Sequence, residues 1–449
     1  MKKVLILGAG LVAKPMVNYL LNTHKIEVII ASRTLAKAEK LIGDRLHGKA
    51  FQLIVDDDSA LENAVQNSDI VISLLPYTFH VKVAKLCLKH QKNMVTTSYV
   101  NPAMSELDSQ AREKGVLILN EIGLDPGIDH MSAMKIIHEV RERGGKIISF
   151  KSYCGGLPAP DSNNNPWRYK FSWSPRGVLM AGRNPARFQI DGKIIEIPGE
   201  ELFQYRWPIQ VGELDLETYP NRDSLPYIDL YGIKYTHTMY RGTLRYPSWC
   251  RTLYAVRQLG LLTEIPIENT EDVPYNELFN KILGLSPGSD PRTYITEKLN
   301  IPPDDEIIQK LEWLDIFSDK KFSLPTTTPI DFLTTLMMAK MNYSEGERDL
   351  IVLTHEFIAD YPERREFITS TLIDYGIPGD SSAMSRTVSL PAAIAAKLIL
   401  EGKIMEKGVR IPIEREIYLP VLEELAALNI VCKENKVSFS KAGSLDQLS

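Results

Sequence analysis

The sequence has few cysteines and no long uninterrupted apolar run. Its four cysteines lie far apart in 449 residues, with no CxxC pair and no histidine at metal-ligand spacing, which excludes a disulfide framework and a zinc-finger type of site. No stretch reaches the roughly 18 consecutive apolar residues that span a bilayer. The N-terminus imitates a signal peptide, but Gly8, Gly10 and Lys14-Pro15 interrupt its apolar segment. We therefore expect a cytoplasmic protein with no membrane partner.

The chain also lacks any block of five or more like charges, and its formal net charge is only -5. A protein of this kind has no electrostatic reason to bind nucleic acid. Hydrophobic residues make up 44% and charged residues 24% of the chain, the balance of an ordinary folded protein. At about 150 residues per domain, the length predicts two or three domains.

Up to about residue 120 the sequence alternates regularly between short apolar runs and amphipathic segments. Continuous apolar strands separated by helices are typical of a parallel sheet that is covered on both faces. The sequence therefore predicts an α/β, doubly wound N-terminal domain. Its strands are predicted at about 3–7, 26–31, 51–55, 70–74, 94–97 and 116–119. Its helices are predicted at 12–22, 35–43, 59–67, 79–90 and 103–114.

The pattern changes after Gly127. A helix at 131–142 leads into strands with long loops over 147–245, which predicts a second, α+β domain, and residues 250–345 have mostly helical periodicity. Period-two alternation in DLIVLTHEF and REFITSTLIDY predicts an antiparallel hairpin in the sheet that begins at 147–153. A helix at 390–402 and a helix and strand within 419–439 close the chain.

The segment Gly8-Ala9-Gly10-Leu11-Val12-Ala13 follows the first strand and opens a helix. It matches the GxGxxG/A fingerprint of dinucleotide-binding domains. Gly8 permits a tight turn, Gly10 lets the backbone approach the pyrophosphate, and Ala13 allows close helix packing. The second strand ends in Ser32-Arg33-Thr34 instead of the acidic residue that binds the ribose of NAD. The arginine and the hydroxyls favour NADP(H), although Arg33 as an ordinary helix-start residue is the alternative.

Four groups of residues have the character of a substrate site. They are Ser98-Tyr99, the segment 123–130 with Asp125, Cys154 in 153–156, and the arginines Arg222, Arg241 and Arg245. Tyr99 and Cys154 could instead be core residues, and Asp129 a helix cap in place of a metal ligand. The arginines could be surface charges paired with acids such as Asp223. Taken together, arginines and hydroxyls near a hydride donor indicate an oxidoreductase acting on a small anionic compound.

Several long motifs in the sequence indicate one particular protein family. VISLLPYTFH (71–80), VTTSYVNPAM (95–104), LNEIGLDPGIDHM (119–131), SYCGGLPAP (152–160) and YKFSWSPRGVL (169–179) closely resemble the NADP-dependent, glutamate-forming saccharopine dehydrogenases, also called saccharopine reductases. YPNRDS (219–224), RGTLRY (241–246), WLDIFSDKK (313–321) and EGERDL (345–350) continue the resemblance over nearly the whole chain.

The resemblance implies an enzyme of lysine metabolism that interconverts saccharopine, NADP and water with L-glutamate, 2-aminoadipate 6-semialdehyde and NADPH, through an imine. It implies that the cofactor is bound by Gly8, Gly10, Leu11, Val12, Ala13, Ser32, Arg33, Thr34, Val55, Leu75, Thr97, Ser98, Leu124, Asp125, Pro126 and Ser174. It implies that the substrate is bound by Ser98, Tyr99, Asp125, Cys154, Arg222, Thr243, Leu244 and Arg245. Asp125, Tyr99 or Cys154 could assist the proton transfers, or the amines of the substrate could serve instead.

The resemblance also implies three domains and a homodimer. The NADP-binding domain would comprise 1–129 and about 390–449, the substrate-binding and dimerisation domain 130–250 and about 346–389, and the helical domain 251–345. We expect the form that is not fused to a lysine-ketoglutarate reductase. A related imine reductase, such as a carboxyspermidine-type dehydrogenase, and a non-catalytic NADP-binding sensor are the alternatives.

Overall fold

In a computed structural model of the protein, which describes residues 1–23 and 26–441, the chain forms two compact units. Unit 1 comprises the described parts of 1–147 and 355–449, and unit 2 comprises 148–354. Residues 251–345, predicted as a separate helical domain, share unit 2 with the strands before them. The division into three domains stays a prediction.

The first 142 residues alternate strands and helices as predicted. The strands are β1 (Lys2–Leu7), β2 (Ile26–Ser32), β3 (Gly48–Gln52), β4 (Ile70–Ser73), β5 (Asn93–Thr96) and β6 (Leu117–Leu119). The helices are α1 (Ala13–Leu21), α2 (Leu35–Ile42), α3 (Asp58–Gln66), α4 (His80–Lys89), α5 (Pro102–Ser105), α6 (Asp108–Glu113) and α7 (Ile128–Glu142). Among the predictions for residues 1–119, two need correction. The third strand lies three residues earlier than predicted, and the helix predicted at 103–114 is two short helices.

Unit 2 begins within a long strand and then combines strands with helices. Its strands are β7 (Lys146–Pro158), β8 (Ala186–Ile190), β9 (Lys193–Ile197), β10 (Trp207–Val211), β11 (Leu214–Pro220), β12 (Thr238–Arg245), β13 (Ile267–Glu268) and β14 (Thr326–Thr327). Its helices are α8 (Pro175–Ala181), α9 (Pro226–Leu230), α10 (Trp249–Gln258), α11 (Tyr275–Leu283), α12 (Pro291–Leu299), α13 (Glu306–Trp313) and α14 (Pro329–Lys340). One cluster of buried apolar side chains runs from these strands into α10–α14.

The remainder of the chain contains the predicted hairpin and the closing elements. They are β15 (Asp349–Asp360), β16 (Arg364–Tyr375), α15 (Ala383–Leu400), β17 (Gly408–Arg410), α16 (Arg415–Ala427) and β18 (Lys433–Ser440). Strands β15 and β16 are neighbours joined by only three residues, and β16 also pairs with β18. Among the described residues, α15 is long and apolar enough to cross a membrane, and 78% of it is buried inside the protein.

The sheet of unit 1 has seven parallel strands in the order β17-β6-β5-β4-β1-β2-β3. The order reverses direction between β1 and β4, and in such sheets ligands bind beyond the carboxyl ends of the strands at this point. The doubly wound prediction is therefore confirmed. In unit 2 the strand order is β10-β11-β12-β7-β15, with β12 and β7 parallel and β10, β11 and β12 antiparallel. This mixed sheet carries four of the residues predicted to bind substrate, namely Cys154, Thr243, Leu244 and Arg245.

Candidate functional site

The glycine turn after β1 has the geometry that its motif predicts. Gly8 has a φ of +112°, and a Cβ there would come within 3.2 Å of the Leu74 carbonyl oxygen. A Cβ at Gly10 would meet no atom within 4 Å in the part of the chain that the structure describes. Packing inside the protein therefore explains Gly8 but not Gly10. The space over Gly10 fits the close approach of a pyrophosphate.

Helix α1 begins directly after this turn. Its cap residue Val12 has an apolar side chain that accepts no hydrogen bond, and its first turn contains no acidic residue. Leu11, beside the turn, is exposed, whereas Ala13 is fully buried against the domain core. Ala13 donates its N–H to the Gly10 carbonyl oxygen at 3.2 Å, and Pro15 has no N–H. No side chain caps this helix start, and an anion is the usual ligand of a helix start at this place in the fold.

A cavity of about 310 Å³ lies beside the turn, in unit 1. Five residues of the predicted cofactor set line it, namely Gly8, Ser32, Arg33, Val55 and Leu75. Arg33 is exposed and makes no ion pair with the residues described, while its carbonyl oxygen accepts a hydrogen bond of 3.0 Å from Gln52. A fixed backbone with an unpaired guanidinium suits a phosphate. These residues fit NADP.

Tyr99 and Asp125 come together although 26 residues separate them. The Tyr99 hydroxyl donates to Asp125 Oδ1 at 3.3 Å, and both residues are half-buried. Tyr99 is therefore not an ordinary core residue. The chain returns tightly at this point, because a Cβ on Gly127, at φ +146°, would lie 2.1 Å from the Gly123 carbonyl oxygen. Leu124 and Pro126 are held in the same turn, which contains a cis peptide bond between Asp125 and Pro126.

Asp129 stabilises the start of α7, but not as the residue that precedes the helix. The helix begins at Ile128, three residues earlier than predicted, so Asp129 lies inside its first turn. Its carboxylate accepts the N–H of Gly127 at 2.6 Å. Across residues 1–23 and 26–441, no cluster of three or more His, Cys, Asp or Glu side chains could hold a metal ion.

Thr97 and Ser98 follow β5, at the carboxyl edge of the sheet. Sequence reasoning missed two residues that hold this segment. The ring of His80 contacts the Ser98 hydroxyl at 2.8 Å, and Glu121 Oε1 accepts the N–H of Val100 at 2.9 Å. His80 is the last residue of the motif VISLLPYTFH, but the residues around it in the chain do not indicate that it contacts Ser98.

In unit 2, strand register places a row of predicted residues side by side. Thr243 on β12 is the partner of Tyr219 on β11 and of Cys154 on β7. Because side chains alternate along a strand, Arg241, Thr243 and Arg245 lie on one face and Leu244 on the other. Cys154 is half-buried, and a Cβ on the next residue, Gly155, would lie 2.6 Å from the Leu244 carbonyl oxygen. The sheet thus brings Cys154, Thr243 and Arg245 together.

Arg245 is a buried cation that makes no ion pair with the residues the structure describes. It is only 5% exposed, and its guanidinium lies over the rings of Tyr169 and Trp249, 5.1 and 5.6 Å from their centroids. One hydrogen bond of 2.7 Å goes to the Leu244 carbonyl oxygen, but Arg245 Nε and Trp249 Nε1 have no hydrogen-bond partner among the residues described. Since buried charges are normally paired, this arrangement calls for an anionic ligand.

The other predicted arginines have different surroundings. Arg241 is 4% exposed and lies 4.3 Å from the centre of the Tyr227 ring, so the surface-charge alternative is wrong for Arg241 and Arg245. Arg222 is exposed, in the loop after β11, with a φ of +57°. Asp223 pairs with Arg187 at 3.5 Å.

Ser174, predicted to contact the cofactor, is the N-cap of α8 and accepts the N–H of Gly177 at 3.2 Å.

Comparison with known proteins identifies the family. Residues 4–119 match the family described as "Saccharopine dehydrogenase NADP binding domain", and residues 123–430 match the "Saccharopine dehydrogenase C-terminal domain". The chain belongs to the saccharopine dehydrogenase family. The predicted family and the NADP-binding domain, with NADP as its cofactor, are thereby confirmed.

Members of the family align with the chain over nearly its full length. The saccharopine dehydrogenase [NADP(+), L-glutamate-forming] of Pyricularia oryzae is 43% identical over 97% of this chain and 99% of its own, and that of Saccharomyces cerevisiae is 41% identical over 97% and 100%. The mitochondrial alpha-aminoadipic semialdehyde synthase of Bos taurus is 39% identical over 96% of this chain but only 47% of its own.

A solved structure of the family has the same fold. The apo histidine-tagged saccharopine dehydrogenase (L-Glu forming) from Saccharomyces cerevisiae superposes with a TM-score of 0.89 at 40% identity, over 97% of this chain and all of the other. The predicted combination of a Rossmann-like sheet with a second, mixed-sheet region and helices is therefore confirmed. The assignment of individual residues to cofactor or substrate stays a prediction.

Proposed function

We propose that this protein is an NADP-dependent, glutamate-forming saccharopine dehydrogenase of lysine metabolism. It converts saccharopine, NADP⁺ and water into L-glutamate, 2-aminoadipate 6-semialdehyde, NADPH and a proton, and catalyses the reverse reaction. Membership of the family supports this proposal, and the observation that carries it is Arg245, a buried cation that makes no ion pair within the described part of the chain. Saccharopine carries three carboxylates, and a buried unpaired guanidinium can bind one of them.

At the cofactor end, the residues of unit 1 provide binding and discrimination. Bound NADP supplies the acceptor and donor of hydride. The backbone at Gly10 and the uncapped start of α1 hold the pyrophosphate, because this space is not filled by the protein itself. Arg33, with Ser32 and Thr34, binds the 2′-phosphate and so excludes NAD, which lacks that phosphate.

At the substrate end, Arg245 binds one carboxylate of saccharopine in a site shielded from water. Its Nε and the neighbouring Trp249 Nε1 both need an acceptor, which a carboxylate provides. Thr243 and Leu244, on the same strand as Arg245, belong to the same predicted substrate set. Arg222, on an exposed loop, binds a further carboxylate of the same substrate.

Proton transfer is assigned to the pair Tyr99 and Asp125 and to Cys154. Oxidation of the C–N bond gives an imine, and its hydrolysis adds water and moves protons to the departing amine. The carboxylate of Asp125, which accepts the Tyr99 hydroxyl at 3.3 Å, attracts the positively charged amine of the substrate. Ser98 and Cys154 complete the substrate set.

The reaction itself is the direct test. The protein is mixed with NADPH, glutamate and 2-aminoadipate 6-semialdehyde, and the loss of NADPH absorbance is followed; NADP reduction by saccharopine gives the reverse direction. We expect turnover that depends on all three reactants. Absence of NADPH consumption would overturn the proposal, and NADPH binding without turnover would favour the sensor instead.

We also propose that the protein is a cytoplasmic homodimer. The family resemblance supports the dimer, and a reducing compartment is supported by the four cysteines, which form no disulfide with one another. Light scattering tests the dimer, and a monomer mass at micromolar concentration would contradict it. Fractionation of the cell tests the compartment.

A further inference from the structure

A buried histidine connects two strands at the edge of the proposed cofactor and substrate site. His80 is the first residue of α4 and is 3% exposed. Its Nδ1 lies 2.9 Å from the hydroxyl of Ser73, at the end of β4, and its Nε2 lies 2.8 Å from the hydroxyl of Ser98, after β5. The hydroxyl of Thr96 is 3.3 Å from the same Nε2. The ring is therefore hydrogen-bonded at both nitrogens.

Burial also fixes the charge state of this ring. Desolvation lowers the pKa of His80 to about 4, so the imidazole is neutral near pH 7. In a neutral imidazole one nitrogen donates and the other accepts. In either tautomer the ring occupies one hydrogen bond of the Ser98 hydroxyl, and a hydroxyl can make further hydrogen bonds besides.

The backbone around Ser98 is held independently of His80. The N–H of Glu121 donates to the Ser98 carbonyl oxygen at 3.1 Å, and the Glu121 carboxylate accepts the N–H of Val100. The other carboxylate oxygen of Glu121 lies 2.8 Å from His130 Nε2. Because Glu121 fixes the main chain on both sides of Tyr99, the contact with His80 decides only where the Ser98 hydroxyl points.

We propose that His80 is a positioning residue that holds the Ser98 hydroxyl in the orientation in which it binds its ligand, cofactor or substrate. The inference rests on the proposed function, because Ser98 is assigned to both sets. In this role His80 itself contacts neither the cofactor nor the substrate. It acts through Ser98, with Ser73 anchoring the far side of the ring.

Two substitutions separate this role from simple packing. His80→Asn retains a group at the position of Nδ1 and can still bond to Ser73, but it cannot reach Ser98. His80→Gln places an amide near the position of Nε2 and can still bond to Ser98. Both variants replace the ring by a neutral amide in the same cavity, so each is the matched control for the other.

The test measures the KM for saccharopine, kcat, and the Kd for NADPH by fluorescence titration, together with thermal unfolding. In His80→Asn at least one of the two binding constants should rise about tenfold, the loss expected for one hydrogen bond. In His80→Gln both should stay within about threefold of the parent value. In a Ser98→Ala background, His80→Asn should have no further effect, since no hydroxyl remains to be oriented.

Binding constants that are unchanged in His80→Asn, or effects of Ser98→Ala and His80→Asn that add, would overturn the inference. Should His80→Asn not fold, Ser98→Ala alone removes the hydroxyl that His80 orients and must raise the same constants, and unchanged constants there overturn it equally. A parent protein without turnover overturns the proposed function instead, and the NADPH affinities of the variants then decide the inference alone.

Discussion

The substitution Arg245→Met should act with opposite signs on ligand binding and on stability. Methionine keeps a long side chain over Tyr169 and Trp249 but removes the charge. In the free protein the guanidinium is 5% exposed, and Arg245 Nε is without a hydrogen-bond partner in the described chain. A ligand carboxylate would provide the missing partner, whereas the free protein has to keep the charge buried without one.

The expected magnitudes follow from this burial. An unpaired buried charge carries a penalty of several kcal/mol, and a buried ionic group can often be replaced by apolar side chains without loss. Against this, the stacking on the two rings contributes about 1–2 kcal/mol, and the hydrogen bond to the Leu244 carbonyl about 1 kcal/mol. We expect the free energy of unfolding of Arg245→Met to be unchanged or raised by up to about 2 kcal/mol.

Binding should change much more. Removing one partner of a buried charge pair weakens binding by about 2–5 kcal/mol. A loss of about 3 kcal/mol raises the KM for saccharopine by roughly 150-fold. The matched control is Arg292→Gln, which removes a half-exposed arginine of the same unit that pairs with Glu312 at 2.8 Å. This control should leave the KM unchanged, because exposed ion pairs contribute little and Arg292 is outside the proposed site.

The assay combines steady-state kinetics with urea unfolding, with and without saccharopine. Saccharopine should raise the unfolding midpoint of the parent protein and of Arg292→Gln, because it binds only the native state. It should not do so for Arg245→Met at the same concentration. If Arg245→Met lost several kcal/mol of stability and kept the parent KM, Arg245 would be a structural residue and would not bind the substrate carboxylate.

Three further predictions concern the cofactor half and pH. Arg33→Asp should lower the preference for NADPH over NADH by about tenfold or more, because it replaces the phosphate-binding cation by an anion; equal preference ratios in variant and parent would exclude that role. Gly10→Ala should leave the melting temperature unchanged, since its Cβ enters open space, but should raise the Kd for NADPH about tenfold; unchanged affinity in titrations would contradict it. Folding lowers the pKa of His80 from 6.5 to about 4, because the ring is buried. Between these pH values the unfolded chain binds a proton that the folded protein does not bind, so the free energy of unfolding should fall by up to about 3 kcal/mol as the pH is lowered from 6.5 to 4. Unfolding measured at both pH values should show a smaller loss in His80→Gln, and equal losses would show that another group is responsible.

The sequence located the elements of unit 1 well where local patterns were strong. Strands β1, β2 and β4 lie within one residue of their predicted bounds, because each is a continuous apolar run. The third strand was placed too late, since the apolar residues Leu53 and Val55 follow the strand and lie beside the cofactor cavity. Strand β17 was missed, because three residues at 408–410 carry no periodicity and form a strand only through pairing with β6.

The predicted cofactor turn required no knowledge of the fold beyond its first two strands. Spacing alone identifies Gly8, Gly10 and Arg33, because a turn and the helix after it are determined by residues close in the chain. The substrate half differs. From the sequence, Arg245 could equally be an exposed surface charge instead of a substrate-binding residue, because its neighbours in the chain do not show that its guanidinium is buried.

Local patterns in the chain were therefore sufficient to predict the doubly wound sheet, the dinucleotide turn and the family. Three-dimensional packing, in contrast, makes Arg245 a buried cation with no ion pair among the described residues, bonds Tyr99 to Asp125, and places His80 against Ser98. These contacts join residues that are brought together by strand register and by packing at the sheet edge. Local periodicity reports which face of an element is apolar, but it carries no information about which distant side chain a polar group will meet.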